Sequence, residues 1–191
     1  QIRGIGDSIG HNLKEFMETG KITFIEELKN RPEILFTEIY GVGPKKAKQL
    51  ADSGFKTIDD IKAAYSTDKT LLNDKQATGL QYYNDILRRI PREEIASFDK
   101  ILSCIITPQT GFQYEIVGSY RRQSESSGDI DVILTTDPTV KPTTTFAKIL
   151  ETLYRHKIIT YFLSQGNTKS LVIGKNPKSQ YYRRIDFLFT P

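Results

Sequence analysis

The chain is poor in the residues that form covalent cross-links and transition-metal sites. Its 191 residues include one cysteine, Cys104, and two histidines, His11 and His156. A single cysteine excludes an internal disulfide, and the apolar run 101–106 around it predicts that the thiol is buried. Neither histidine has a cysteine or histidine neighbour at the spacing of zinc ligands, so we expect both on the surface.

Long apolar runs are also lacking. No segment approaches the roughly 20 apolar residues that a membrane-spanning helix needs, so we expect no membrane partner. The sequence starts without a signal-peptide pattern. Its first residues already belong to a motif, so we expect the chain to begin inside a longer protein. The composition, 38% hydrophobic and 26% charged, predicts a folded globular chain.

The excess of charge is small, and a net charge of +4 is a weak indication of a nucleic-acid partner. The whole excess lies in residues 151–191, which hold seven basic residues against Glu151 and Asp186, while the rest of the chain is close to neutral. The basic residues are Arg155, Lys157, Lys169, Lys175, Lys178, Arg183 and Arg184. A bound polyanion would explain this asymmetry, and a solvated basic surface would explain it equally well.

The sequence contains an internal repeat. The segment 2–6 reads Ile-Arg-Gly-Ile-Gly, and the segment 39–43, 37 residues later, reads Ile-Tyr-Gly-Val-Gly. An amphipathic run follows each segment and ends near Gly20 or Gly54, while Pro44 suits a first helical turn. Each copy therefore predicts a helix, a tight Gly-x-Gly turn and a second helix.

Such turns favour phosphate binding. The glycines Gly4, Gly6, Gly41 and Gly43 let the backbone approach a ligand closely, and free N–H groups at the following helix attract an anion. Carbonyls of the same turn can hold a monovalent cation that bridges to DNA. The second copy is followed by lysines, namely Lys45, Lys46 and Lys48. The alternative is a simple tight turn in a helical bundle.

The remaining pattern changes along the chain. Residues 22–90 have helical spacing, and a new helix is expected to start at Arg92 after Pro91. The strands predicted after Pro108 are 114–117, 130–134, 170–173 and 184–189, with a helix through Phe146 between the second and the third. The expected fold is therefore α+β, with a helical N-terminal half joined to an α/β half near Pro91.

The segment 118–132 carries the strongest chemical signal. A Gly118-Ser119 turn precedes Asp129 and Asp131, whose i and i+2 spacing puts both carboxylates on one face of a strand. Two adjacent acids repel each other unless a cation joins them. Mg²⁺ with oxygen ligands and a triphosphate suits this arrangement, so the segment predicts metal-dependent nucleotidyl transfer.

Asp186 is the best candidate for a third metal ligand, because it is the only acid of an apolar strand and a lone buried charge is costly. The alternative is a salt bridge to Arg183 or Arg184. In the metal hypothesis, Asp129 and Asp131 bind two Mg²⁺ ions, and Asp186 binds only the catalytic ion and helps to activate a 3′-hydroxyl.

Four residues are expected to hold the nucleotide phosphates. Ser119 and the backbone at Gly128 would contact the β- and γ-phosphates. Arg122 and Arg89 would add charge-assisted hydrogen bonds to the same oxygens.

The chain resembles the family X DNA polymerases, which include the beta, lambda, mu and terminal-transferase enzymes. The matching segments are 89–94, 118–122, 125–132, 183–186 and the two Gly-x-Gly turns. The resemblance covers nearly the whole chain. It implies two helix-hairpin-helix motifs followed by a polymerase beta-like palm with a mixed sheet and flanking helices.

The resemblance also implies an organisation and a function. Residues 1–27 would end a small N-terminal domain, 28–90 would form a fingers-like DNA-binding subdomain, and 91–191 would form the palm. A monomer would add a dNTP to a primer on gapped or nicked DNA, in nuclear short-gap repair. Mg²⁺ is the expected metal, with Mn²⁺ as a substitute.

The ligands at the hairpins are implied by the same resemblance. Na⁺ or K⁺ would bind the carbonyls of Thr37, Ile39 and Val42 at the second turn, and those of Ile2 and Ile5 at the first. Arg184 would contact DNA together with the glycines and lysines of the turns.

The chain departs from the family pattern at three places. Asn12 stands where lyase-active members have a Schiff-base lysine, so lyase activity is not expected. Gln123 replaces a usual glycine. The family's nucleotide-closing subdomain would follow Pro191, where the sequence stops. Two further functions therefore stay open, a non-catalytic DNA-binding module and a nucleotidyltransferase acting on RNA or small molecules.

Overall fold

The computed structural model describes residues 4–29, 31–108, 112–136 and 142–190, with side chains of 142–145 excepted. The chain divides into two compact units, Gln1–Gln81 and Tyr82–Pro191. Within the described ranges, no helix is both long and apolar enough to cross a membrane.

The first unit is helical in its described part. Its helices are α1 (Asp7–Thr19), α2 (Thr23–Lys29), α3 (Pro32–Leu35), a 3₁₀ helix (Phe36–Glu38), α4 (Pro44–Asp52), α5 (Ile58–Thr67) and α6 (Asp74–Gln81). Thr57 begins α5 with a capping box, since its side chain accepts from the N–H of Asp60 and the Asp60 carboxylate accepts from the N–H of Thr57. Phe36 and Ile61 are among the fully buried side chains of this unit, whereas α1 buries none.

The second unit holds a mixed sheet. Its elements are α7 (Tyr83–Leu87), β1 (Ile90–Pro91), α8 (Arg92–Ile106), β2 (Phe112–Ile116), α9 (Gly118–Arg121), β3 (Ser126–Ser127), β4 (Ile130–Thr136), α10 (Pro142–Arg155), β5 (Ile159–Gln165), β6 (Lys169–Gly174) and β7 (Arg183–Phe189). Five strands form one sheet in the order β2-β4-β7-β6-β5. Among the described strands of this sheet, β4 and β7 pair in parallel and the other neighbours pair antiparallel, while β1 pairs with β3 separately.

The period of the strands gives the sheet one buried face and one partly exposed face. Ile130, Val132 and Leu134 alternate with half-buried residues along β4, and β7 alternates in the same way. The buried side chains form one core with those of α8 and α10, including Phe98 and Phe146. Each large apolar side chain in this core contributes roughly 1.5–3 kcal/mol by burial. The half-buried face carries the candidate site.

The sequence predictions of the main elements are confirmed. The helix begins at Arg92, the four predicted strands form within one or two residues of their expected bounds, and the helix through Phe146 lies between the second and the third. The α+β class is therefore correct. The prediction omitted β5, because this edge strand has two register shifts and lacks a regular alternation of burial.

The prediction for Cys104 is wrong, because its residue is exposed. The helix α8 buries Phe98, Leu102 and Ile106, which recur every four residues along one face. Cys104 lies two residues from Leu102, which corresponds to about 200° around the helix. An apolar run therefore does not bury all its members on a helix packed on one side. His11 and His156 are exposed, as predicted.

Candidate active site and hairpin turns

Three carboxylates converge on the partly exposed face of the sheet. Asp131 on β4 is the direct parallel partner of Asp186 on β7. Asp129 lies two residues before Asp131, so the strand period brings it to the same face. One carboxylate oxygen from each of the three acids lies within 4.8 Å of the others, and all three residues are half-buried. The structure thus brings together the three acids that the sequence predicts as ligands.

Arg184 lies among these acids. Its Nη2 donates to Oδ2 of Asp129, and its Nε is 3.5 Å from Oδ1 of Asp186. The neighbouring Arg183 points to the other face, because successive strand residues alternate. There Arg183 forms a bidentate pair with Glu94, at 2.8 and 2.6 Å. The predicted alternative of an Arg183–Asp186 salt bridge is therefore wrong, while an Arg184–Asp186 ion pair is present.

The charged form of Asp186 is disfavoured at this place, and the pKa of its carboxyl is raised. Burial raises the pKa of its carboxyl, Arg184 lowers it, and the neighbouring Asp131 raises it again. Oδ1 of Asp186 and Nε of Arg184 are buried, and no described residue forms a hydrogen bond with either atom. Arg184 pairs with two of the three carboxylates, and the more distant Lys169 also lowers the pKa of Asp186. The set has spare negative charge and an unsatisfied oxygen, which suits hard cations with oxygen ligands.

The Gly118 turn lies directly against Asp131. Gly118 has a φ of 63°, in the left-handed region, and a Cβ at this position would overlap Oδ2 of Asp131. The N–H of Val117 donates to the carbonyl of Asp131 at 2.8 Å. Only glycine combines this backbone conformation with such a close approach. The expected phosphate turn and the acids therefore form one site.

The side chains of Ser119 and Ser127 meet beside this turn. Oγ of Ser119 donates to Oγ of Ser127 at 2.7 Å, and Ser127 is 1% exposed. The sequence prediction named Ser119 but missed Ser127. The sequence signal for Ser127 was its position next to Gly128. Its contact with Ser119 is visible only in the tertiary structure.

Arg89 reaches the same region through β1 and β3. The pairing of Ile90 with Ser127 aligns the two short strands, and Arg89 donates to Oγ of Ser126 at 3.1 Å and to its carbonyl. A Cβ added at Gly128 would lie 3.6 Å from Nη1 of Arg89. Arg89 is thus brought to Gly128. The exposed Arg122 makes no side-chain hydrogen bond or ion pair within the described ranges.

The two Gly-x-Gly turns have matching backbones in the first unit. Gly4 and Gly41 have φ values of 92° and 86°. Gly6 and Gly43 begin α1 and α4 with φ/ψ of −80°/173° and −86°/173°. The internal repeat is therefore a repeat of turn geometry. Ile2 lies outside the described residues.

The second turn is held by α6. The N–H of Val42 donates to the carbonyl of Ile39 at 2.9 Å, which closes a turn with Gly41 at its positive-φ position. Nε2 of Gln76 donates to the carbonyl of Gly41 at 3.2 Å. A Cβ at Gly79 would overlap the carbonyl oxygen of Tyr40. The glycine therefore permits the helix to pack on the turn backbone.

The other residues predicted at this turn lie around it. Thr37 is exposed in the 3₁₀ helix and donates its hydroxyl to the carbonyl of Ile34. Lys45 is exposed in the first turn of α4, and Lys46 is half-buried there.

Comparisons with known proteins place this chain in a family. Residues 89–191 match the DNA polymerase beta palm, and residues 34–87 match the fingers domain of DNA polymerase lambda. DNA polymerase lambda of Arabidopsis thaliana is 30% identical over 98% of this chain and 37% of its own length. DNA polymerase lambda of Rattus norvegicus is 29% identical over 100% of this chain and 34% of its own length.

A third relative is the DNA polymerase type-X family protein pol4 of Schizosaccharomyces pombe, 26% identical over 98% of this chain and 38% of its own length. The chain thus spans little more than a third of the curated relatives. The palm match alone covers more than half of the chain, and the chain belongs to the family X DNA polymerases.

Proposed function

We propose that this chain supplies the DNA grip and the metal-binding acids of a DNA-directed DNA polymerase. A primer 3′-hydroxyl attacks the α-phosphate of a dNTP, and pyrophosphate leaves. The observation that carries the proposal is the parallel pairing of Asp131 with Asp186, with Asp129 on the same face. The proposed biological setting is nuclear short-gap repair, which the resemblance to the family implies.

Asp129, Asp131 and Asp186 would hold two Mg²⁺ ions, with Mn²⁺ as a substitute. The unsatisfied Oδ1 of Asp186 and the excess of carboxylates support this fit. When bound, the metals supply positive charge that lowers the pKa of the attacking hydroxyl and neutralises the triphosphate. Asp129 and Asp131 would hold both ions, and Asp186 would hold only the ion that activates the primer 3′-hydroxyl.

Arg184 provides positive charge among the acids before cations arrive. Its contacts with Asp129 and Asp186 use the same carboxylates that cations would bind. We infer that Arg184 releases them on metal binding and contacts the phosphate of a DNA strand. The planar guanidinium suits either partner.

The nucleotide phosphates would lie in the cradle formed by Ser119, Ser127, Gly128 and Arg89. The two hydroxyls already form one hydrogen-bonded pair beside the Gly118 turn. Ser119 can redirect its hydroxyl to a phosphate oxygen while Ser127 stays beside it. Arg89 would add a charge-assisted hydrogen bond, and the exposed Arg122 is free to close on the same oxygens.

The two hairpin turns would grip the DNA backbone without reading its sequence. Their contacts would come from Gly4, Gly6, Gly41, Gly43, Lys45 and Lys46. Na⁺ or K⁺ would bridge the carbonyls of Thr37, Ile39 and Val42 to a phosphate, and Ile5 with Ile2 would act in the same way at the first turn. The proposed division is 1–27, 28–90 and 91–191, in a monomeric protein.

Primer extension on gapped DNA by the full-length protein tests the catalytic assignment. We expect Asp129→Ala and Asp186→Ala each to reduce extension by at least about 10³-fold, the scale of strong active-site electrostatic contributions. Glu115→Ala is the matched control, because it removes an exposed carboxylate from β2 of the same sheet. Normal extension by the Asp186 variant would refute the assignment.

One binding measurement and one extension measurement separate the other candidate functions. A non-catalytic DNA-binding module would bind gapped DNA but would bind Mn²⁺ and dNTP without dependence on the three acids. A nucleotidyltransferase acting on RNA would extend an RNA primer in preference to a DNA primer.

A further inference from the structure

A groove at the edge of the second unit is not used by the proposed polymerase chemistry. It is lined by the end of α10, the start of β5 and the segment between β6 and β7. Its volume is about 780 Å³. We call it the β5 groove, and its lining residues are Tyr154, Arg155, His156, Lys157, Ile159, Thr160, Lys175, Pro177 and Tyr182.

The β5 groove is strongly basic. Arg155, Lys157 and Lys175 belong to its lining, which contains no aspartate or glutamate. Arg155 is paired with Glu151 on the same helix, so Lys157 and Lys175 carry the excess positive charge of the groove. Three of the seven basic residues in the C-terminal part of the chain therefore converge here. The groove is complementary to an anionic partner.

Lys157 is held in an unfavourable backbone conformation. Its φ is 60°, in the left-handed region. The N–H of Lys157 donates to the carbonyl of Tyr154 at 2.9 Å, and the N–H of Ile158 donates to that of Leu153 at 3.0 Å. These bonds form a Schellman motif, in which glycine is the favoured residue. A lysine at this strained position indicates a functional role of its side chain.

The dipole of α10 explains only part of the basic lining. Cations near a helix C-terminus are favourable, which accounts for Arg155 and Lys157. It does not account for Lys175, which follows β6 and is fixed by its N–H bond to the carbonyl of Ile158 at 2.9 Å. The convergence of separate elements indicates a binding surface.

The aromatic residues of the groove distinguish between two classes of anionic partner. Tyr182 packs against Tyr82 at 4.7 Å between ring centroids, and Nζ of Lys175 lies 5.1 Å from the Tyr182 centroid. Tyr154 packs against Phe162 at 5.9 Å. The Tyr182 ring is thus packed against two side chains, whereas Tyr154 is 52% exposed. Single-stranded nucleic acid stacks successive bases on several rings, and the groove offers one tyrosine with a large exposed surface, so a protein partner with one apolar side chain is favoured.

We propose that the β5 groove docks a short acidic segment of a partner protein that carries one apolar side chain. The apolar side chain would lie against the exposed Tyr154 and Pro177, and flanking carboxylates would pair with Lys157 and Lys175. The register shifts of β5 bend this edge strand. Recognition therefore uses side chains of the groove rather than addition of a strand to the sheet.

The test is fluorescence anisotropy with this chain and a labelled probe peptide, in which aspartates flank a central phenylalanine. We expect saturable binding, and about a fivefold loss of affinity for each of Lys157→Glu and Lys175→Glu. Lys100→Glu is the control, because it makes the same charge change at an exposed position of α8 outside the groove. Thermal unfolding of each variant checks that the fold is retained.

Three outcomes would overturn the proposal. The first is no binding of the peptide, and the second is equal binding by the groove variants and the Lys100 variant. The third is loss of single-stranded DNA binding in the groove variants with unchanged peptide binding, which would assign the groove to nucleic acid. Primer extension should be unchanged in Lys175→Glu, so the result does not depend on the proposed polymerase activity.

Discussion

Gly118 and Asp131 approach so closely that no other residue than glycine fits at position 118. A Cβ there would overlap Oδ2 of Asp131 and lie 3.1 Å from its Cγ. The left-handed φ of Gly118 adds a second requirement for glycine. This contact fixes the turn against a carboxylate that is a candidate metal ligand. The turn and the acid are therefore coupled parts of one site.

Gly118→Ala should disrupt this coupling. We expect a loss of about 2–4 kcal/mol in the free energy of unfolding, from backbone strain and steric overlap, together with weaker Mn²⁺ binding. Gly20→Ala is the matched control, since Gly20 also has positive φ but its Cβ would meet nothing within 4 Å. Urea unfolding and Mn²⁺ titration measure both effects. Unchanged Mn²⁺ binding in Gly118→Ala would contradict the coupling.

Asp186→Asn should stabilise the metal-free protein at neutral pH. Burial raises the pKa of Asp186 in the folded state, so its ionisation opposes folding as pH rises above the unfolded pKa, about 3.9. The advantage of the variant should disappear below that pH, where wild-type Asp186 is protonated in both states. Urea unfolding across this range measures the difference. A variant less stable than wild type at neutral pH would contradict the prediction.

The same pair of proteins should gain different amounts of stability from metal. Mn²⁺ should raise the stability of the wild type, because a ligand that binds the folded state stabilises it. Asp186→Asn should gain less. An equal gain in the two proteins would show that Asp186 is not a ligand.

Removing one partner of the Arg183–Glu94 pair should destabilise the fold more than replacing both partners with apolar residues. Arg183 is 3% exposed, and its Nη1 also donates to the carbonyl of Arg88 at 3.1 Å. Glu94→Ala leaves a buried guanidinium without its carboxylate and should cost about 3–5 kcal/mol. Arg183→Met with Glu94→Leu should cost less than the single change. A double-mutant cycle with additive effects would contradict this.

Gln123→Gly should stabilise the second unit by about 0.5–1 kcal/mol. Gln123 has a φ of 64°, a conformation that costs a non-glycine residue roughly 1–2 kcal/mol, which the greater chain entropy of glycine offsets in part. Gln123→Ala, which keeps a Cβ, should bring no such gain. The midpoint of urea unfolding decides between these outcomes. Equal midpoints for the two variants would rule out backbone strain as the cause.

Gly79→Ala should weaken the proposed DNA grip of the second hairpin. Its Cβ would overlap the carbonyl oxygen of Tyr40 and lie 2.9 Å from the Tyr40 nitrogen, so α6 must shift off the turn. We expect affinity for gapped DNA to fall by about tenfold, with similar sensitivity to salt. Gly10→Ala is the control, because its Cβ would meet nothing within 4 Å. Equal DNA affinity of the two variants would refute the role of Gly79.

Local pattern in the sequence was enough for several features. The period of two along β4 put Asp129 and Asp131 on one face, and the glycine spacing predicted two equivalent turns. These features depend on backbone sterics and strand geometry over a few residues. These local rules do not depend on the tertiary contacts of the rest of the chain.

Tertiary structure decided the rest. Asp186 lies 55 positions after Asp131 in the sequence, and only the parallel register of β4 and β7 makes them neighbours. Ser127 meets Ser119, and Arg89 meets Gly128, through pairings that no local period encodes. Cys104 is exposed because α8 packs on one face. Long-range register and packing follow from which apolar faces are buried together, and this choice belongs to the whole chain rather than to any segment.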